Sequence, residues 1–149
     1  LVEMKPKGFK NAHGMHGECV GIGTIMCARA YHELAKRDTI EVKPYEPLDP
    51  AWVRDAFGDL ADGIFKENEN DVLKTFPPEN IKEHWQEIRD VIATIPTAEE
   101  IIDLYTKIGA KHSLAELDID ESIRGEFLDI SSAIRNRLTF ARVTRLIVK

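Results

Sequence analysis

Ile81, Trp85, Ile88, Ile92 and Ile95 recur at intervals of four, three, four and three. That spacing lines one side of an α-helix; a strand, whose faces alternate every two residues, cannot satisfy it. Pro77-Pro78 opens this stripe and Pro96 stops it. The same grammar recurs along the chain. Asp49 followed by Pro50 is an N-cap with proline at the first helical position, and the helix it opens is predicted to run to about Lys66. Thr97 with Glu100 forms a capping box ahead of Ile101, Leu104, Tyr105 and Ile108, and Gly109 ends that segment. Ser113 with Glu116 forms a second box opening a short helix. Asp120 starts a helix that turns Ile123, Phe127, Ile130 and Ile134 inward, and Thr139 caps a last one through Val143, Leu146 and Ile147.

The longest predicted helix runs from about Gly17 to Lys36. Val20, Ile22, Ile25, Met26, Ala28, Ala30 and Leu34 cover more than one of its faces, the pattern of a helix enclosed by others. Gly21 and Gly23 lie inside it, each costing about 1 kcal/mol relative to alanine, which calls for close approach of a backbone or a ligand. Residues 1–16, with Pro6, Gly8 and Gly14, read as loop. Arg37-Asp38-Thr39 ends the long helix, residues 40–43 are extended, and 67–75 form an acidic loop with one short turn. With no alternating pattern and no internal repeat, the 149 residues are predicted to form one all-α domain, a multi-helix bundle.

Charge narrows the range of partners. Twenty lysines and arginines against 26 acidic residues give a net charge of −6, which disfavours nucleic acid. No apolar run approaches the roughly 20 residues that span a bilayer, and no signal peptide is visible. Cys19 and Cys27 are too few for a disulfide scaffold and too far apart along a helix to bridge, so a reducing, cytoplasmic setting is expected. The start at Leu1 rather than Met is what a piece of a longer protein would show.

Chemistry concentrates in residues 11–18, Asn-Ala-His-Gly-Met-His-Gly-Glu, just ahead of the long helix. A helix N-terminus attracts anions and polar ligands, and an imidazole there can hold a divalent metal. His13 and His16, spaced i, i+3, are a candidate metal pair; a histidine-bearing helix cap without any ligand is the other reading. His32, His84 and His112 are scattered and read as structural or solvent-facing. Walker, H-E-x-x-H, C-x-x-C and G-x-S-x-G signatures are absent, and Gly21-Ile22-Gly23 falls within a helix rather than after a strand.

The run His16-Gly17-Glu18-Cys19-Val20-Gly21-Ile22-Gly23-Thr24 resembles the H-G-E-x-V-G-I-G-T motif in the C-terminal helical domain of sn-glycerol-1-phosphate dehydrogenases. These enzymes belong to the iron-containing alcohol dehydrogenase and dehydroquinate synthase-like superfamily. Val2-Glu3-Met4-Lys5 is similar to the W-E-M-K segment ahead of that motif. His84-Trp85, Ile95-Pro96-Thr97-Ala98-Glu99-Glu100, and Arg135-Asn136-Arg137-Leu138-Thr139 with Arg145-Leu146 are similar to later family segments, so the likeness covers most of the chain.

The resemblance implies residues 1–149 are the metal- and substrate-binding domain of a two-domain enzyme, without the N-terminal α/β domain that holds NAD or NADP. It implies His16 as a ligand to a divalent metal, zinc first and iron or nickel as alternatives. The remaining ligands, a histidine and an aspartate, and the cofactor turn would lie outside this chain. The substrate would be a phosphorylated polyol, interconverted with dihydroxyacetone phosphate, and the chain alone would be inactive. Glu18 would open the helix or support the ligand rather than act as base. Lys5, Lys7 and Lys10 are candidates for a phosphate or for a solvated loop, and Arg135 and Arg137 for structural ion pairs. His13 could stand in as a ligand. Another superfamily branch, such as a glycerol dehydrogenase or dehydroquinate synthase-like enzyme, and a non-catalytic helical interaction domain are the competing readings. Self-association into a homo-oligomer stays open.

Overall fold

The computed structural model describes residues 4–149. Val2 and Glu3 of the segment compared with W-E-M-K lie outside them. The architecture is all-α, as expected: helices and 3₁₀ turns, with a lone antiparallel bridge between Val42 and Ile147 as the extended pairing among the described residues. That bridge belongs to the extended stretch anticipated at 40–43, which is tied to the C-terminus by Lys43 N–H to the Leu146 carbonyl and Val148 N–H to the Glu41 carbonyl, both 2.8 Å.

Helix α1, His16–Ala35, is the scaffold. Its Ile25 and Ala28 pack on Ala98 and Ile101 of α6 (Ala98–Lys107), while Ile22 and Met26 join the largest core cluster with Phe9, Leu117 and Phe127. A third cluster joins Ile40, Leu73, Ile81, Trp85 and Leu146 around α4 (Glu79–Glu83), α5 (Trp85–Ala93) and the C-terminal α8 (Phe140–Val143). Burying an isoleucine or leucine of this kind contributes roughly 1.5–3 kcal/mol before chain entropy is set against it. α1 is not enclosed all round, however. His16, Gly17, Val20 and Thr24 are exposed on one side.

Several predicted helices are divided. The segment opened by Asp49, whose side chain accepts from the Ala51 N–H as predicted, is α2 (Pro50–Phe57), a 3₁₀ turn, then α3 (Ala61–Glu67). The break falls at Gly58, with φ of +52°, a region glycine enters without a Cβ penalty. The Ile81–Ile95 stripe is interrupted at His84, one residue before Trp85, whose buried indole donates to the Arg37 carbonyl at 2.9 Å. Leu104 and Ile108 of α6 point outward, at 58% and 76% exposure, so only Ile101 and Tyr105 of that predicted set meet α1. The Asp120 segment is a 3₁₀ turn, Glu121–Gly125, followed by α7, Phe127–Ala133. The capping boxes at Thr97 and Ser113 form as predicted.

The C-terminal segment is fastened by a buried ionic cluster. Arg142 is fully buried. Its Nη2 shares hydrogens among Asn68 Oδ1 at 2.9 Å, the Ser132 carbonyl at 2.7 Å and the Arg135 carbonyl at 2.8 Å. Nη1 lies 2.8 Å from Asp71 Oδ1, close enough for charge pairing but without hydrogen-bond alignment. Arg145 Nη1 donates to Asp71 Oδ2 at 2.8 Å. Asn136 adds a clasp: its carboxamide accepts from the Val72 N–H at 3.0 Å and donates to the Asn70 carbonyl at 2.7 Å. The expectation of structural ion pairs at Arg135 and Arg137 is therefore corrected. Arg135 reaches Glu67 only at 3.9 Å, on the surface, and among the described residues no ion pair forms at Arg137. The structural arginines are Arg142 and Arg145.

Gly21 is explained by contact. A Cβ there would sit 2.5 Å from Cε2 and 2.9 Å from the hydroxyl of Tyr105, so it is a side chain, not a backbone, that approaches. Gly23 has nothing within 4 Å of its Cβ position and is not explained by packing.

Two stability experiments follow. Asp71→Ala leaves two arginines facing each other without their carboxylate, and the cost expected in urea unfolding is about 3–5 kcal/mol. Burial pushes the Asp71 carboxyl up, but the Leu73 N–H and the two guanidinium groups outweigh it and hold it below the usual range. A lowered folded value means the contribution is present above the ordinary aspartate range and is lost as pH falls through the lowered one. Acid unfolding near and below pH 4 should thus be blunted in the variant. For Gly21→Ala, overpacking against Tyr105 exceeds the helix-propensity gain, giving a net loss of about 1–2 kcal/mol. In a Tyr105→Ala background the same change should stabilise by about 1 kcal/mol, and a double-mutant cycle reads the sign reversal.

Candidate functional site

The start of α1 is held by residues distant in sequence. The loop before it is packed rather than loose: Phe9 and Ala12 are buried, the His13 N–H donates to the Leu117 carbonyl at 3.0 Å, and the Asp120 N–H to the Gly8 carbonyl at 2.9 Å. Gly14 permits the turn into the helix, because a Cβ there would meet Leu117 Cδ2 at 2.8 Å and Glu18 Oε2 at 3.2 Å.

His16 is the first residue of α1 and is exposed. It stands at the rim of a cavity of about 280 Å³, walled by Phe9, Ile22, Met26, Ile119 and Phe127 and opening along Gly14, Cys19 and Gly23. Among the described residues its imidazole makes no hydrogen bond to protein. His13 is not brought to it as a co-ligand. Its Nδ1 pairs with Asp118 Oδ2 at 3.1 Å in solvent. His32 donates from Nε2 to the Ile95 carbonyl at 2.9 Å, His84 pairs with Glu87, and His112 contacts the Ala110 carbonyl, each in the structural or solvent-facing setting expected.

Glu18 opens the helix. Its Oε2 accepts from the Met15 N–H at 2.8 Å, and Lys111 Nζ lies 3.3 Å from Oε1. The Met15 N–H, followed in effect by Lys111, holds the carboxyl below the usual glutamate range against the opposing effect of desolvation. Lys5 donates to the Ala12 carbonyl and Lys7 to Asp55, so two of the three lysines considered for a phosphate are committed within the loop.

No three His, Cys, Asp or Glu side chains converge to hold a metal among the described residues. His16 by itself fits one position of a divalent-metal site: an exposed imidazole with no competing protein bond, at a cavity rim. The other two ligands that the resemblance implies are not supplied here. A larger cleft, about 690 Å³, lies between α2 and the C-terminus and includes Trp52, Tyr45, Lys43, Arg145 and Lys149. Its cations are paired: Lys43 with Glu46, Arg145 with Asp71, Lys149 with Asp129, Lys7 with Asp55. Sequence reasoning missed this cleft and also missed Lys111 and Tyr105, which meet α1 from 93 and 84 residues away with no local pattern to announce them. No family model matches the chain, and comparison with curated proteins and with solved structures likewise finds no match.

Glu18→Ala should speed amide exchange through the first turn of α1 and lower the thermal midpoint, whereas Glu18→Gln, which keeps an oxygen for the Met15 N–H, should lower it less. Because the folded carboxyl titrates below its ordinary value, the difference between wild type and Glu18→Ala should be full at neutral pH and shrink as pH falls through that lowered value. Unchanged exchange in Glu18→Ala would remove Glu18 from the helix start.

Proposed function

We propose that this chain is the metal- and substrate-binding half of an NAD(P)-dependent glycerol-1-phosphate dehydrogenase, acting on a phosphorylated polyol when joined to a nucleotide-binding domain. The observation that carries this reading is His16: the histidine opening the H-G-E run lies on the first turn of a long helix, exposed, without a protein hydrogen bond, at the rim of a cavity.

The divisions of labour within the chain support it. His16 offers a neutral imidazole nitrogen. Glu18 and Lys111 fix the helix start and hence the imidazole's position, and Glu18 is thereby occupied as an acceptor rather than poised as a base. Gly17 and Gly23 have nothing within 4 Å of their Cβ positions, leaving backbone surface that substrate or another domain can approach. The apolar wall of Phe9, Ile119 and Phe127 limits water on one side. When bound, a divalent ion supplies Lewis-acid stabilisation of charge developing on a carbonyl oxygen, and the nicotinamide supplies the hydride. A second reading, a helical domain that binds another protein without catalysis, is favoured by one observation, the exposure of Val20, Leu104 and Ile108.

Metal analysis and turnover of the chain joined to its nucleotide-binding domain separate the two. His16→Ala should lose most bound metal and, because several kcal/mol of charge stabilisation leaves with the ion, roughly 10²-fold or more in kcat, with helicity unchanged. His112→Ala should retain both. Stoichiometric metal and normal turnover in His16→Ala would overturn the assignment and favour the interaction-domain reading, as would a wild-type protein that takes up no metal.

A further inference from the structure

His16 and Cys19 are three residues apart at the start of α1, which places their Cβ atoms about 5–6 Å from each other on one side of the helix. Both border the same cavity. Cys19 is a free, half-buried thiol, and its Sγ lies 3.4 Å from the point a Cβ on Gly14 would occupy. The bare backbone of Gly14, itself on the cavity rim, leaves that sulfur uncovered. Glu18, between the two, is committed to the Met15 N–H and Lys111. Imidazole nitrogen and thiolate sulfur at this spacing are the donor types that zinc-class divalent ions select over carboxylate and water. Cys27, two turns on, does not border the cavity.

We propose that Cys19 is a second protein donor, beside His16, for a zinc-class divalent ion at the rim of this cavity. The proposal rests on the reading of His16 as a metal ligand and adds a residue to it: position 19 is the unspecified one in H-G-E-x-V-G-I-G-T. Binding forms a metal–sulfur bond and breaks the S–H bond, the proton passing to solvent; no electron changes hands. With two protein donors, water completes the coordination. The site is therefore open, and its affinity in this chain is modest.

Cobalt(II) titration of the reduced 149-residue chain, with circular dichroism on each variant to establish folding, tests it. A near-ultraviolet thiolate-to-cobalt charge-transfer band should rise together with visible ligand-field bands, and zinc should abolish both. Cys19→Ser should lose the charge-transfer band, Cys27→Ser should keep it, and His16→Ala should weaken cobalt uptake. Ligand-field bands without charge transfer, lost in His16→Ala, would overturn the role of Cys19 while leaving His16 as a ligand. A charge-transfer band that survives in Cys19→Ser, full uptake in His16→Ala, or no cobalt uptake at all would each overturn the proposal.

Discussion

Asp71 sits out of contact with water between two guanidinium groups, and the packing of the C-terminal third depends on it. The Arg142 and Asp71 side chains have no exposed surface. Burying such groups costs several kcal/mol per ion, which close charge pairing offsets only when the remaining hydrogens also find acceptors. Arg142 meets most of that demand through Asn68 and the carbonyls of residues 132 and 135, yet its Nε has no partner. A leucine-filled core could match this cluster in stability. What the cluster adds is register: each acceptor sits at one point of the 68–71 turn or the end of α7, so α8 docks in one position. The tail then reaches back to bridge Val42 and to receive Arg37 at the Val148 carbonyl.

That docking matters for α1 because the same α8 covers its C-terminal half. Phe140 meets Tyr31 edge-on with ring centroids 5.1 Å apart, and burial against this segment pushes the Tyr31 hydroxyl up to about 12. α1 is thus gripped along three sides: α6 through Gly21 and Ala28, the large core through Ile22 and Met26, and the C-terminal segment through Tyr31. The side left over carries His16, Gly17, Val20 and Thr24. An exposed, otherwise apolar helix side costs solubility, and the motif residues occupy it.

Much of the fold was legible because its signals are local. Asp49, Thr97, Asp120 and Thr139 accept from backbone N–H groups two or three residues ahead, the range over which a capping side chain acts. The breaks were not legible in the same way. Gly58 reads as an ordinary glycine until its φ is known, and His84 interrupts a stripe whose spacing is faultless, since period reports which side is apolar and not whether the axis is continuous. Leu104 and Ile108 share the period of Ile101 but fall to the side of the α1 contact. The preference for Arg135 and Arg137 over Arg142 followed a motif's visibility. Arg142 is buried only because Asn68 and Asp71, over 70 residues earlier, fold against it.

The candidate site divides along the same line. His16, Cys19 and Glu18 are neighbours in sequence, so their grouping needed only a helix. Their environment is tertiary. The Leu117 side chain beneath Gly14, the Leu117 carbonyl at His13, Lys111 at Glu18 and Ile119 in the cavity wall all come from one stretch, residues 111–119, that carries no motif. That stretch is itself rigid: Glu116 accepts from both His112 and Ser113, which hold its carboxyl down to about 2, and Asp118 takes a left-handed φ of +52°. The position of the imidazole is therefore set from below by a turn about a hundred residues away, and the loop ahead of α1 is a lining clamped between that turn and the helix rather than a free strap. A histidine held in this way keeps its place with its second face open to solvent, which is the condition for accepting an ion or a partner without first paying to order a loop.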